Sequence, residues 1–285
     1  KSRSTPSKAT ALESLRTSGR PFIIDDFHYL NRDVQVEVVR AVKALVFEGH
    51  PVVLLAIPDR KYDAIRVEKE MTGRVEQVEI PAWEQDELLN IPKTGFPLLN
   101  IKCSAEIENE FAKQALGSPH LMQEFCRQLC IDAIIEETLD EARTIKNINM
   151  SSVFERVAMD TSKTIFDRLA KGPRQRSDRK QRNFKDGTMG DIYVACLRAI
   201  ACLRPGMATL QYEEIRSALR DLLIDLPQAH EVSRVLEHMS KIQADEAASA
   251  PVIDWDKDER VLHVTDPFFA FFLRWGLDSV STEQD

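Results

Sequence analysis

Arg20-Pro-Phe-Ile-Ile-Asp25-Asp26-Phe-His-Tyr-Leu30 is the stretch on which the fold turns. Its apolar run stops at two adjacent carboxylates and then resumes, so Pro21–Asp25 reads as a short strand, too apolar to lie exposed, that ends in an acid pair. Ahead of it, Lys8–Thr17 sets Ala9, Leu12 and Leu15 at helical spacing. Behind it, Val38, Val39, Val42, Leu45 and Val46 keep a helical period, Gly49 closes that helix, and Pro51–Ile57 (PVVLLAI) reads as a second buried strand. The segment Arg60–Thr72 leads to a third expected strand, Val75–Ile80. Continuously apolar strands separated by helices predict a parallel sheet covered on both faces. Residues 1–82 are therefore expected to be the carboxyl half of an α/β core.

From Trp83 the pattern becomes all-helical, and 83–170 reads as a helical domain. Ala105–Leu116 is one helix, and Ser118 caps the next, with Pro119 at its first position and Leu121, Met122, Phe125 and Leu129 on its inner face. Residues 171–186 read as a basic linker, with seven Lys or Arg among 171–185, serving either as a solvated connector or as a contact to DNA phosphates. In 187–285, Asp191–Leu203, Tyr212–Leu223 and His230–Gln243 are amphipathic helices. Val252–Trp255 and Val261–Val264 flank the turn Asp256-Lys-Asp-Glu259, and Asp266-Pro267 starts an aromatic helix, Phe268–Trp275. Three helices plus a hairpin is the order of a winged-helix domain. Its third helix carries Arg234 and Lys241 against Glu231 and Glu237, a poor match to a DNA-reading surface, which favours packing and switching.

At 285 residues the chain has room for two or three domains, and 43% hydrophobic with 29% charged residues is the composition of an ordinary soluble protein. A formal net charge of -8 argues against nonspecific nucleic-acid binding over the whole surface. There is neither an apolar run long enough to cross a bilayer nor a signal-peptide pattern, so the expected compartment is the cytosol and no membrane partner is expected. Cys103, Cys126, Cys130, Cys196 and Cys202 form no CxxC pair. Cys126 and Cys130 stand one helical turn apart without a second pair of ligands, so all five read as buried small hydrophobes in a reducing compartment.

From Pro21 to about Asn100, DDFHYL followed by VVLLAIPDR, MTGRVEQVEIPAW and GFPLLNI resembles the AAA+/STAND class of P-loop ATPases, of the prokaryotic archaeal-ATPase and origin-recognition type. Gly117-Ser118-Pro119-His120 falls where STAND proteins carry the Gly-x-Pro of their helical lid, and VLHVTDPFFAFFLRW is similar to a winged helix of that family. The resemblance spans most of the chain and draws its specificity from the order of short motifs. It implies an α/β P-loop NTPase core, with the carboxyl half of its parallel sheet visible, an α-helical lid and a C-terminal winged-helix domain, binding ATP or ADP with Mg2+. Asp25 would be the Walker B acid holding the metal's water shell, and Asp26 the catalytic acid that polarises the attacking water. Asp59 or Arg60 would be the polar sensor after the second strand, the alternative being a solvated turn. Arg74 would act as an arginine finger in its own or a neighbouring subunit, the alternative being a surface arginine paired with Glu68 or Glu70. In the lid, Pro119 would pack on adenine, and His120 stands where many relatives place a sensor arginine. His263 lies near where some STAND switches hold ADP with a histidine, the alternative being a structural histidine.

The chain departs from the pattern in lacking GxxxxGK[ST]. Lys1-Ser2 resembles the tail of such a loop at a spacing to Asp25 that is short for the family, which is expected of a fragment or of a deletion after those residues. Asp26 replaces the usual Glu. The resemblance implies a slowly hydrolysing switch whose nucleotide state controls homo-oligomerisation and signalling. The winged helix would fold back on the lid at rest, and an effector or sensor partner would serve prokaryotic antiphage defence. The alternatives are a DNA-binding AAA+ ATPase of replication initiation or transposition, and a scaffold that has lost hydrolysis.

Overall fold

The computed structural model describes residues 8–27, 30, 32–56, 75–76, 78–173, 179–207, 209–244 and 251–277. The chain divides into two compact units, Lys1–Pro81 and Ala82–Asp285.

The first unit is built on helix α1 (Lys8–Ser18), strand β1 (Phe22–Ile24), helix α2 (Arg32–Phe47) and strand β2 (Val52–Leu54). Strands β1 and β2 are parallel, with Phe22 opposite Val52, Ile23 opposite Val53 and Ile24 opposite Leu54. Helix α2 ends where expected: Gly49 takes φ 87°, and His50 N–H bonds back to the Leu45 carbonyl at 2.9 Å, satisfying an acceptor that the last turn leaves open. Arg16 of α1 grips both carboxylate oxygens of Glu48, just past α2, at 2.5 and 2.8 Å. The small core consists of Phe27 and Val39 with Ile24, Leu30, Val38, Val46 and Leu54 around them.

Two expectations for this unit are corrected. Among the described residues the sheet is covered on one face only: Phe22 and Ile24 of β1 are half-buried, whereas Ile23 is 59% and Val53 41% exposed. Strand side chains alternate between faces, so one helical layer buries only every second residue. Nor does Val75–Ile80 form a strand in its described residues, where Val78 and Ile80 are each 78% exposed. Glu76 and Glu79 break the apolar face there, and Pro81 removes a ladder donor.

The second unit begins with α3 (Gln85–Leu88), where Glu84 and Glu87 form a capping box, and continues through α4 (Asn90–Leu98) into β3 (Ile101–Cys103). Helices α5 (Ala105–Gln114) and α6 (Pro119–Asp132) lead to β4 (Arg143–Ile145), which pairs parallel with β3. The all-helical expectation for 83–170 is thereby corrected: two three-residue strands, too short for a periodic signal, pair across more than forty positions of chain. The 22-residue α7 (Met150–Lys171) follows, capped by Asn149.

Beyond it, β5 (Arg182–Asn183) pairs antiparallel with β6 (Met189–Gly190) ahead of α8 (Ile192–Cys202), whose cap Asp191 accepts from the N–H groups of Tyr193 and Val194. Then come β7 (Thr209–Gln211), α9 (Tyr212–Leu222), α10 (Ala229–Ala244), β8 (Ile253–Asp256), β9 (Val261–Val264) and α11 (Pro267–Trp275). Strand β9 lies between β7 and β8 in an antiparallel sheet.

One continuous core runs through the described residues of 83–170 and 187–277. Its centre is aromatic. From α11, Phe271 meets Phe125 of α6 and Phe154 of α7 at ring distances of 4.9 and 5.7 Å, Trp275 meets Phe154 at 4.9 Å, and Phe272 meets Phe166 at 5.1 Å. Trp275 also donates its indole N–H to Gln114 at 3.2 Å, so α11 is seated on three helices of the preceding segment.

In 171–186 some of the described residues are held against the rest of the unit, while Lys180, Gln181 and Lys185 are exposed. Phe184 is buried, and Arg182, 8% exposed, pairs with Glu231 at 2.9 Å. Arg179 pairs with Asp191 at 2.7 Å while lying over the Tyr193 ring at 4.4 Å. These arginine stems pack as hydrocarbon while their heads find carboxylates, which a composition count does not see.

Candidate functional site

In the first unit the acid pair stands at the carboxyl end of β1. Leu55 N–H bonds to the Ile24 carbonyl and Phe27 N–H to the Leu55 carbonyl, each at 2.9 Å, which ties the exits of the two parallel strands together. Between those bonds the chain turns outward. Asp26 adopts φ 53°, a left-handed conformation that Asp tolerates better than most residues, and its N–H is accepted by Asp25 Oδ1 at 2.9 Å. Both carboxylates are exposed. Behind them, buried Gln35 of α2 donates its side-chain amide to the Phe27 carbonyl at 3.1 Å, holding the turn against the helix. The strand exit, the turn and the buried amide together keep two acids adjacent at one edge of the sheet.

Two adjacent hard-oxygen ligands suit Mg2+, which keeps most of its water shell and takes one or two carboxylates. Phosphates are a different matter. A triphosphate needs a run of backbone N–H groups, usually in a glycine-rich loop opening a helix. In this unit the described glycines, Gly19 and Gly49, precede β1 and β2, so they lie at the sheet edge opposite the acids. The described residues thus fit a hydrated metal and do not by themselves hold a nucleotide. Asp59, Arg60 and Arg74 lie outside the described residues.

In the second unit, Gly117-Ser118-Pro119-His120 is a turn between two helices. Gly117 has φ 74°, a Cβ there would stand 2.6 Å from the Ala82 Cβ, and its carbonyl accepts the Trp83 N–H at 3.0 Å. Ser118 caps α6 by accepting the Leu121 N–H at 3.2 Å, and Pro119 occupies the first turn, where a missing donor costs nothing. Each residue thus has a local conformational reason to be there. His120 packs edge-on against Phe268, with ring centroids 4.9 Å apart. Beside it Asp266 caps α11 through the Phe269 N–H at 2.7 Å, and burial pushes this carboxyl above its ordinary range. His263 sits on β9, opposite Thr209 and Asp254, with Nδ1 3.3 Å from the Thr209 hydroxyl. The structure therefore brings together Asp25 with Asp26 in one unit, and His120 with the start of α11 in the other.

The cysteines are more varied than expected. Cys196 is fully buried and its thiol is pushed up to about 12, Cys126 is partly buried and also about 12, and Cys202 is exposed at the end of α8. Cys103, on β3, reaches about 11, again chiefly by burial. Among the described residues no group of three or more His, Cys, Asp or Glu side chains could hold a metal ion, and no helix is long and apolar enough to cross a membrane.

The sequence reading missed a cleft of about 390 Å³ in the second unit, lined by Arg179, Lys180, Arg182, Tyr193, Arg234 and His238, among others. A signal for it was present: His230, Arg234 and His238 recur every fourth residue on α10, which puts them on one face.

No protein-family model matches the chain, and no curated protein matches it. Among solved structures, the crystal structure of Cdc6p from Pyrobaculum aerophilum is similar at a TM-score of 0.37 and 10% identity, over 100% of this chain and 74% of that one. A likeness at that level carries no argument about family or function.

Proposed function

We propose that this chain is part of an ATP-binding switch of the AAA+ class, in its STAND branch, with Asp25 on the water shell of Mg2+ and Asp26 polarising the attacking water. The observation that carries the reading is the parallel register of β1 with β2, which sets the acid pair at the carboxyl edge beside the exit of the neighbouring strand. Ligands of open α/β sheets sit in the crevice outside that edge. The element order of 191–264, helix, strand, two helices and two strands, adds the arrangement of a winged helix. In this reading the phosphates are held by a loop that the described residues do not contain, ATP supplies the transferable phosphoryl group, and oligomerisation with a signalling partner follows from nucleotide state.

One detail of the switch changes. The resemblance implies a winged helix that folds back on the lid at rest and opens with ATP and Mg2+, yet Phe271 and Phe272 are buried among lid residues as deeply as any core side chain. Separating the two would expose that aromatic core, so the switch proposed here moves 82–277 as one body. Calorimetric titration with ATP or ADP and Mg2+ tests the reading. Binding that weakens at least tenfold for ATP in Asp25→Ala is the expected result, and unchanged ATP binding in that variant would remove the assignment.

A further inference from the structure

The cleft between α8, α10 and the segment 179–182 has a charge pattern that stability alone does not explain. Among the described residues four cations line it, Arg179, Lys180, Arg182 and Arg234, against one lining carboxylate, Glu231. That carboxylate is already committed: one oxygen accepts from Arg182 at 2.9 Å and the other from the Gln228 N–H at 2.8 Å. Arg179 is likewise committed, to Asp191 at 2.7 Å and to the backbone carbonyls of Lys171 and Pro173 at 2.6 and 2.5 Å. Both arginines are thus fixed in place, and both keep a buried Nε–H without a partner. Lys180 and Arg234, on the exposed rim, have no carboxylate partner among the described residues.

After the two ion pairs are counted, two positive charges remain among the described residues over a concave surface floored by two ion-paired guanidinium groups, in a chain of net charge -8. An excess of one sign of charge in a cleft focuses the field and raises the local concentration of the opposite ion. Guanidinium donors match carboxylate and phosphate alike, and of the two a phosphate, which carries up to two charges, answers the two cations left over. The volume exceeds that of a phosphate group alone, and half-buried Ile192 offers an apolar patch to the carbon skeleton of a ligand. His238 is held there by its Nδ1, 2.9 Å from the Tyr193 hydroxyl.

We propose that this cleft binds a small phosphorylated ligand, with Lys180 and Arg234 contacting the phosphate above the fixed guanidinium groups of Arg179 and Arg182. The site belongs to the second unit and stands whether or not the acid pair serves ATP. The test is calorimetric titration of the full chain with inorganic pyrophosphate and with ribose 5-phosphate, each compared with the double variant Lys180→Glu/Arg234→Glu. Both positions are at the surface, so a melting curve matching the wild type verifies that the variant folds. The expected result is saturable binding of at least one probe that weakens tenfold or more in the double variant and is unchanged in Arg220→Glu, at an exposed cation of α9 outside the cleft lining. Tighter binding of the ester shows that the organic part occupies the cleft, whereas equal or tighter binding of pyrophosphate points to an inorganic ligand. No binding of either probe at millimolar concentration, or binding that the double variant leaves intact, overturns the proposal. So does salt-dependent binding of duplex DNA that the double variant abolishes when neither small probe binds, because those cations then serve a nucleic acid.

Discussion

The two units solve the same problem, burying apolar residues beside parallel strands, to very different depths. In 1–81 a three-residue strand pair is covered on one face by a helix, and Ile23 and Val53 on the other face remain exposed. In 82–285 an equally short parallel pair, β3 with β4, lies in a unit whose core runs unbroken from Leu88 to Leu273 and is knitted by aromatic rings. Both strand pairs are covered on one face only, since Lys102 and Thr144 stay exposed on the face away from buried Ile101 and Ile145, so the units differ in the size of the core around the pair and not in the number of layers on it.

The largest effect that would break this contrast is in the aromatic centre. Phe271→Ala is expected to cost about 3–5 kcal/mol, since the ring touches both α6 and α7 and the cavity cannot collapse easily. Chemical denaturation followed by tryptophan fluorescence should show 82–277 losing structure in a single transition, and a separate early transition of the 187–277 part would show two domains instead. Leu45→Ala, at a buried position of α2, should cost about 2–4 kcal/mol and leave the tryptophan-reported transition where it was, because Trp83, Trp255 and Trp275 all lie in the second unit. A shift of that transition would mean that the units are energetically coupled.

Smaller changes sharpen the comparison. Gly117→Ala forces a positive φ and a clash at 2.6 Å, a cost of order 1–3 kcal/mol, and should lower the melting temperature of the second unit. Ser118→Ala removes the cap of α6 for about 1 kcal/mol. The smallest effect concerns pH. Burial raises the Asp266 carboxyl above its ordinary 3.8, so the folded state holds this proton more tightly than the unfolded chain does. Its contribution to stability therefore falls as pH rises from 3.8 through the raised value. Asp266→Asn retains a capping oxygen, and the expected outcome is a flatter profile of melting temperature against pH over that window. A profile identical to the wild type would assign the slope to other groups.

Much of this architecture was legible in the residues. The helical period from Val38 to Val46 with its closing Gly49, the cap-and-proline start of α6 and the hairpin around Asp256 all appear where local rules put them. The acid pair was legible too, because an apolar run interrupted by Asp25-Asp26 marks a strand exit. Val75–Ile80 misled because a few apolar residues resemble a strand whether or not a neighbour is there to pair with. The pairing of β3 with β4 was invisible for the converse reason.

Local sequence by itself determined where helices start and stop and where the two carboxylates stand adjacent, since caps, turn residues and apolar period act over a few positions. Only the tertiary structure decided that 83–170 and 187–277 share one core, and that a basic run expected in solvent lines a cleft. Those outcomes depend on which distant side chains meet, Phe271 with Phe154 and Arg182 with Glu231, and no local period encodes such a meeting.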